Sequence, residues 1–213
     1  MAYALELGYC VPASIVVDLG TIPNVININY HTTRDEYYDG TKSFDMTCVE
    51  KLGALQAIDF TRFATEHKIP GLEQCGIIRA GSYATFRETR RLIGEYVFTE
   101  KDLIEGTDFE DAVASKYGGR DKMGSTSAVN IRQGTLYPYR SMLPRGVDGL
   151  LVTGRCGSAS FRGHYGGKSM GNMLVLGQAA GIAAGLCSAS GVEPRGLDYK
   201  LIQAKLSEIG FVF

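Results

Sequence analysis

The sequence is poor in the residues that build metal centres. It has three histidines, His31, His67 and His164, which lie far apart in the chain, and it has no H-E-x-x-H motif. Its five cysteines are scattered and odd in number, and they include no C-x-x-C pair. Zinc sites and disulfide frameworks need ligands or partners at characteristic spacings. We therefore expect no metal site, and we expect reduced thiols of the kind found in cytoplasmic proteins.

The chain also lacks a large net charge and an N-terminal targeting signal. A formal net charge of −1 argues against a general nucleic-acid binder or a membrane-surface protein. The opening stretch, MAYALELGYCVPAS, has no basic residue before its apolar ones and carries Glu6 among them, whereas a secretory signal starts with a basic segment. We expect an intracellular protein of the cytoplasm.

Charge is nevertheless uneven along the chain. From residue 122 to residue 192 there is one acidic residue, Asp148, against seven basic ones. Such an excess favours an anionic ligand in this part of the chain. The seven basic residues are Lys122, Arg132, Arg140, Arg145, Arg155, Arg162 and Lys168.

The first 130 residues predict a mixture of strands and one long helix. NVININYHT alternates apolar and polar residues, which indicates a half-buried strand. Apolar residues at helical spacing, with Pro70-Gly71 beyond them, predict a helix from about Asp45 to about Lys68. CGIIRA and RLIGEYVF predict two further strands, and residues 111–130 show neither period and predict loop.

The C-terminal part predicts a strand, a glycine-rich loop and two helices. DGLLVTG indicates a short buried strand, and it leads through a loop to a Gly/Ala-rich helix from Gly171 to Ala189. GLDYKLIQAKLSEIG predicts an amphipathic helix that Asp198 opens and Gly210 closes, with an apolar stripe on one face. The stripe consists of Ile202, Leu206 and Ile209.

Two familiar interpretations fit the glycine-rich loop and its helix poorly. Gly167-Lys168-Ser169 matches the end of a nucleotide P-loop, but residue 162, where the motif needs its first glycine, is arginine. Glycines at fourfold spacing after residue 176 are typical of packed membrane helices. That apolar run is short, is interrupted by Gln178, and is rich in Ala and Gly instead of Leu and Ile.

A third interpretation places a site at the start of the helix. The backbone N–H groups of Gly171, Asn172 and Met173, at the positive end of the helix dipole, would hold an anion or a polarised carbonyl group. Small residues behind them would allow close packing on a strand or a flat ring. The alternative is that these small residues serve helix–sheet packing alone, and local features leave both open. They are Gly177, Ala180, Gly181 and Ala184.

Three stretches, in order along the chain, carry a shared signature. They are FRETRRLIGEYVFTEKDL, LYPYRSMLPRGVDGLLVTGR, and the run from DGLLVTGRCGSAS to GGKSMGNMLVLGQAAGIAAG. They resemble the Arg-Glu-Ser-Arg-Arg and Gly-Glu-Tyr segment, the Ile-Pro-Tyr-Arg approach, and the Ala-Gly-Arg strand and Gly-Gln-Ala-Ala-Gly helix of one family. That family is the FAD-dependent oxidoreductases related to the fumarate reductase and succinate dehydrogenase flavoproteins.

The resemblance implies a mixed α/β fold in two parts. Residues 1–144 would form a portion of the substrate domain with a mostly antiparallel sheet. Residues 145–213 would supply the closing strand and helices of a Rossmann-like FAD domain. The implied activity is hydride transfer between a small-molecule substrate and flavin N5, for which FAD carries the chemistry.

The resemblance also implies roles for individual residues. Gly154 and Arg155 would approach the ribityl chain or the ring edge, and the N–H groups at the start of the helix would stabilise negative charge at N1 and the C2 carbonyl. Those cofactor-binding residues at the helix start are Gly171, Asn172 and Met173. His164 is the candidate for proton transfer, and Arg87 and Lys168 are the candidates for holding an anionic substrate. Lys168 stands where the family usually has arginine, which offers a planar fork that lysine lacks.

One family element is missing from the sequence. Members hold the FAD pyrophosphate with a strand followed by G-x-G-x-x-G, and this motif occurs nowhere in the 213 residues. We therefore expect that the chain is a fragment, or that a second polypeptide supplies the dinucleotide-binding half in a hetero-oligomer. The alternative is a non-catalytic remnant or regulatory subunit that keeps the fold and binds no cofactor.

Overall fold

The structure is a computed structural model that describes residues 1–12, 14–19, 22–31, 37–86, 88–116, 135–165 and 169–211. The chain forms two compact units, Met1–Thr89 and Arg90–Phe213. Across the described residues it has six α-helices and two small antiparallel sheets, which confirms the predicted mixed α/β class. The functional division into 1–144 and 145–213 stays a prediction.

The first unit contains a β-hairpin and a long helix. The hairpin pairs Ser14 with His31 and continues in register to Leu19 with Ile26, so the strand predicted in NVININYHT is confirmed. The long helix matches the predicted one within two residues at each end. The elements are α1 Ala2–Glu6, β1 Ser14–Leu19, β2 Ile26–His31 and α2 Ser43–Glu66.

The core of the first unit is small. Ala4 from α1 and Val11 pack against Phe63, on the last turns of α2. The strand predicted in CGIIRA does not form, so that prediction is wrong. Ile77 is 45% exposed and Ile78 78% exposed, and a lone extended segment with exposed apolar residues has no ladder to stabilise it.

The second unit is larger and holds most of the buried residues. Its strands form an antiparallel pair, with a bulge between Ala112 and Ala114. A strand therefore lies inside the stretch predicted as loop, and that prediction is wrong for residues 112–116. The elements are α3 Glu100–Glu105, β3 Ala112–Lys116, β4 Thr135–Pro138, a 3₁₀ turn Tyr139–Met142, α4 Phe161–Tyr165, α5 Met170–Ser190, a 3₁₀ turn Pro194–Gly196 and α6 Tyr199–Glu208.

The two C-terminal helices pack on β3 and confirm their predictions. In α6, Asp198 accepts a hydrogen bond from Lys200 N–H at 2.9 Å, and Gly210, at φ +87°, follows its end. Ile202 and Leu206 are fully buried. Ile209 of the predicted stripe is 57% exposed, because the helix stops at Glu208 and the helical rotation stops with it.

Two predicted strands of the second unit are extended segments without a ladder. In residues 91–98, the backbone N–H groups donate to two different segments. Leu92 N–H donates to Cys156 O at 2.7 Å, and Glu95 N–H donates to Leu143 O at 2.9 Å. In residues 150–153, Val152 N–H donates to Met142 O at 2.9 Å, and no strand is formed. Both strand predictions are wrong, since apolar content predicted the extended backbone but could not predict its partners.

Candidate functional site

A tight turn from Gly154 to Gly157 forms the tip of the predicted cofactor loop. Gly157 N–H donates to Gly154 O at 3.0 Å and closes the turn. Gly154 has φ +93°, a conformation that favours glycine. Arg155 and Cys156 lie exposed between the two glycines. The family resemblance implied that Gly154 leaves access for the cofactor, and the positive φ favours glycine at this position independently of any cofactor.

The two glycines of the turn face different surroundings. A Cβ added at Gly154 would meet no heavy atom within 4 Å, so the space beside it is open. A Cβ at Gly157 would lie 3.1 Å from Gly154 O and 3.2 Å from Tyr137 Oη, so that side of the turn is packed. On the open side, no described residue obstructs the approach of a flavin edge to Gly154, so the turn is compatible with the predicted cofactor contact there.

The extended segment 92–98 is hydrogen-bonded to the Gly154–Gly157 turn and to the residues that follow it. Besides the Leu92 bond to Cys156, Phe98 N–H donates to Ser158 O at 3.1 Å, and Ser160 N–H donates to Phe98 O at 2.8 Å. The Ser158 side chain adds two contacts to the same segment. Backbone hydrogen bonds thus attach the predicted cofactor loop to the segment 92–98 at every second residue, at 156, 158 and 160.

Helix α4 carries His164 and lies against α3. His164 is 3% exposed, and its N–H donates to Ser160 O at 2.9 Å. A Cβ at Gly163 would overlap Phe98 O, so glycine is what allows α4 to approach this backbone. Arg162 Nη1 forms an ion pair with Glu100 Oε2 at 3.2 Å. The His164 side chain is thus buried on a closely packed helix, and its role in proton transfer stays a prediction.

Helix α3 is itself anchored by a buried carboxylate. Asp102, 4% exposed, forms a capping box with Thr99 and accepts hydrogen bonds from Tyr96 Oη at 2.8 Å and Thr107 Oγ1 at 3.1 Å. Burial alone would raise the pKa of Asp102, but the hydrogen bonds from Thr99, Tyr96 and Thr107 hold it below its usual value. Burial, followed by the bond to Asp102, raises the pKa of Tyr96 to about 12.

The start of α5 differs by one position from the prediction. Ser169 is the N-cap, and its Oγ accepts from Asn172 N–H at a long 3.5 Å. Met173 N–H already belongs to the helix ladder, through a 3.0 Å bond to Ser169 O. The N–H groups of Met170 and Gly171 precede that ladder and have no partner within the helix. Any anion or carbonyl group would therefore be held by Gly171 and its preceding neighbour more readily than by Met173.

Helix α5 has one buried face and one exposed face. Leu176, Ala180 and Ala183 are buried, whereas Leu174 is 76% exposed. Gly177, Gly181 and Gly185 lie on the exposed face, where an added Cβ would meet nothing within 4 Å. Close packing inside the described part of the chain thus does not account for these glycines. By length and composition alone α5 could also cross a membrane, a test that core helices of soluble proteins pass as well.

The predicted residues fall into three groups. Gly154, Arg155 and His164 lie on the segment 154–165, which is fixed to residues 92–98. The helix-start residues Gly171, Asn172 and Met173 lie in the first turn of α5. Arg87 and Lys168 lie outside the described residues, so their proposed contacts stay predictions. Arg91, from the same arginine-rich run as Arg87, stacks over the ring of Phe161 at 5.8 Å.

Sequence reasoning missed the residues that support the site. Ser158, Gly163 and Tyr137 carry no chemical motif, and their importance appears only when the segments are brought together. Burial raises the pKa of Tyr137, which keeps its hydroxyl neutral. Among the described residues, no group of three or more His, Cys, Asp or Glu side chains could hold a metal ion.

Comparison with known proteins gives one family. The sequence profile of the FAD dependent oxidoreductases matches residues 9–206. No curated protein and no solved structure matches the chain. Since the profile spans nearly the whole sequence, from the first unit into α6, the chain belongs to the family of FAD dependent oxidoreductases and takes FAD as its cofactor.

Proposed function

We propose that this oxidoreductase supplies the isoalloxazine side and the substrate side of a flavin site related to that of the fumarate reductase and succinate dehydrogenase flavoproteins. The observation that carries the proposal is the Gly154–Gly157 turn, with its positive φ at Gly154 and the open space beside it. When bound there, FAD supplies the two-electron chemistry, as hydride exchange between N5 and a small-molecule substrate.

The protein's own groups would position the cofactor and tune its charge. Gly154 and Arg155 would lie against the ribityl chain or ring edge. The first turn of α5 would direct N–H groups and the positive end of a 21-residue helix at the ring carbonyl that gains negative charge. The Asn172 N–H bond to Ser169 is long, so a cofactor oxygen could replace it at little cost.

For the substrate side, the proposal assigns roles to three side chains. His164 would hold or deliver a proton, because its ring is buried on a helix fixed against residues 98 and 99. Arg87 and Lys168 would bind the oxygens of an anionic substrate. The excess of basic residues between 122 and 192 supports an anion over a neutral substrate.

A second polypeptide is proposed to carry the pyrophosphate-binding half. Two observations support it: the sequence has no G-x-G-x-x-G, and the α5 face that includes Leu174 and Gly181 is exposed. Apolar helix faces of this kind are normally covered. All five cysteines are free, which supports the proposed cytoplasmic location.

Calorimetry and colour test the proposal together. The purified chain alone should bind FAD weakly, because the pyrophosphate contacts are absent and the ring contacts must offset the entropy of association. A dissociation constant below about 1 μM for the chain alone would contradict the shared site. Yellow material that sediments as a hetero-oligomer is the expected result for the native protein. A colourless, stable monomer that binds no FAD in any form would instead support the non-catalytic alternative.

A further inference from the structure

We propose that Ser158 is a positioning residue of the flavin site, which acts by fixing the Gly154–Gly157 turn and α4 to the segment 92–98 without touching the cofactor. The proposal rests on the proposed role of that turn. It concerns a residue that has no reactive function of its own, since its hydroxyl is engaged on both sides by backbone groups.

The Ser158 side chain links two backbone segments through hydrogen bonds to their backbone groups. Ser158 is fully buried. Its Oγ accepts a hydrogen bond from Gly94 N–H at 3.0 Å and donates one to Tyr96 O at 2.7 Å. A hydroxyl has one proton to donate, and here that proton goes to Tyr96. Two backbone groups that a regular sheet would pair with other backbone groups are thus satisfied by one side chain.

The distance between the two segments is set by small residues on both sides. A Cβ at Gly94 would lie 2.9 Å from Ser158 Cβ and 3.1 Å from Ser141 O. Residue 94 therefore cannot carry a side chain while Ser158 keeps its place. The hydroxyl reaches Gly94 N–H because glycine lets the two backbones come this close.

Ser158 is also the middle of three attachments along the loop. Cys156 O accepts from Leu92 N–H on one side, and Ser160 N–H donates to Phe98 O on the other. Beyond Ser160, its Oγ accepts from Gly163 N–H at 3.0 Å and its carbonyl from His164 N–H. A shift at residue 158 would thus pass in one direction to the Arg155 turn and in the other to His164.

The first experiment tests the attachment without any flavin. Ser158→Ala leaves Gly94 N–H and Tyr96 O buried without their partner. Amide hydrogen exchange at Leu92, Phe98 and Ser160 should then speed up by about tenfold or more. Ser188→Ala, an exposed serine on α5, is the matched control and should leave these amides unchanged. Unchanged exchange in Ser158→Ala would overturn the proposal.

The second experiment tests the effect on the cofactor. In the FAD-bound protein, Ser158→Ala should change the visible circular dichroism of the flavin and its midpoint potential, whereas Ser188→Ala should change neither. Ser158→Cys keeps a weak donor and acceptor and should lie between wild type and Ser158→Ala. If Ser158→Ala does not fold, the flavin spectrum and midpoint potential of Ser158→Cys are compared with those of the wild type instead.

The outcomes separate this inference from the proposed function. A variant that melts earlier but keeps the wild-type flavin spectrum and potential shows a structural role only, and overturns the positioning role. If the wild-type protein binds no FAD in any assembly, the proposed function fails and the positioning role fails with it. The exchange result then shows that the attachment exists but serves the fold alone.

Discussion

The two compact units differ in how much of their apolar surface they bury. Eighteen described residues form the buried cluster of the second unit, against three in the first. The hairpin of the first unit exposes Val16 at 58%, Val17 at 48% and Leu19 at 87%. A two-stranded hairpin with exposed apolar residues is marginal in water, whereas the second unit has a core that helices and strands share.

The described candidate residues all lie in the unit with the larger core. Gly154, His164 and Gly171 belong to segments that pack against residues 92–98 or β3. Sites that must hold a cofactor within fractions of an ångström need such support. The comparison shows that the candidate residues lie in the unit with the larger buried cluster.

The largest effect is expected within α5, where two leucines differ only in burial. Leu176 is 2% exposed and Leu174 76% exposed. Leu176→Ala should lower the free energy of unfolding by about 2–5 kcal/mol, because it leaves a cavity in the core. Leu174→Ala should change it by less than about 0.5 kcal/mol but weaken the proposed hetero-oligomer. Denaturant unfolding and sedimentation measure the two effects, and equal destabilisation by both variants would contradict the two-faced helix.

The next effect is a pH-dependent one at Asp102. Its pKa is lower in the folded chain than in an unfolded one. The carboxylate therefore stabilises the fold above its ordinary pKa of about 4, and this stabilisation is lost as the pH falls through the folded value. Asp102→Asn should cost about 1–3 kcal/mol at neutral pH and flatten the acid side of the stability profile. Asp108→Asn, at an exposed position, should keep the wild-type profile.

A smaller effect distinguishes replacement of Gly154 from replacement of Gly146, which also has a positive φ. Gly154 has φ +93° and Gly146 φ +72°, and neither would bring a Cβ within 4 Å of another atom. Replacement by alanine should destabilise the fold by about 1–2 kcal/mol at each position. Gly154→Ala alone should weaken FAD binding, by roughly tenfold or ~1.4 kcal/mol, since its methyl group occupies the open space. Equal FAD affinities, measured by flavin fluorescence titration, would place the cofactor elsewhere.

The smallest effect is expected in the hairpin of the first unit. Leu19→Thr, at 87% exposure, should change the stability of the purified chain by less than about 0.5 kcal/mol. Thermal unfolding of the chain alone and of the proposed assembly with a second polypeptide measures this. A loss of several degrees in the assembly alone would show that another polypeptide covers the hairpin, and would remove the contrast between the units.

Helices were predictable from the sequence because their signals are local. α2, α5 and α6 each combine an apolar pattern with a start or stop signal within a few residues, and all three were found within two residues of the expected bounds. Extended segments were less predictable. RLIGEYVF and LLVTG have strand-like composition, but a strand needs a partner ladder. The partners of RLIGEYVF lie far along the chain, at Leu143, Cys156 and Ser158, and Val152 of LLVTG bonds only to Met142.

The candidate residues were singled out by a family resemblance, and their roles in binding and catalysis stay predictions. Gly154 and His164 could be singled out because they lie in the loop that carries this resemblance, and the structure shows at Gly154 a positive φ, which favours glycine. Ser158 and Gly163 could not, since serine and glycine are common and their roles depend on distances to Gly94 and to Phe98 O. The N-cap at Ser169 also fixed the α5 donors one position earlier than the sequence predicted.

The close approach of Gly94 and Ser158 has a consequence for how the sequence can change. With a Cβ at residue 94 only 2.9 Å from Ser158 Cβ, the two positions share one small volume. A larger residue at either position must be accompanied by a smaller one, or a backbone shift, at the other, and position 158 cannot shrink without losing its hydroxyl. We therefore expect the pair to vary together across related sequences, or not at all, and an alignment of relatives would show it as coupled substitution.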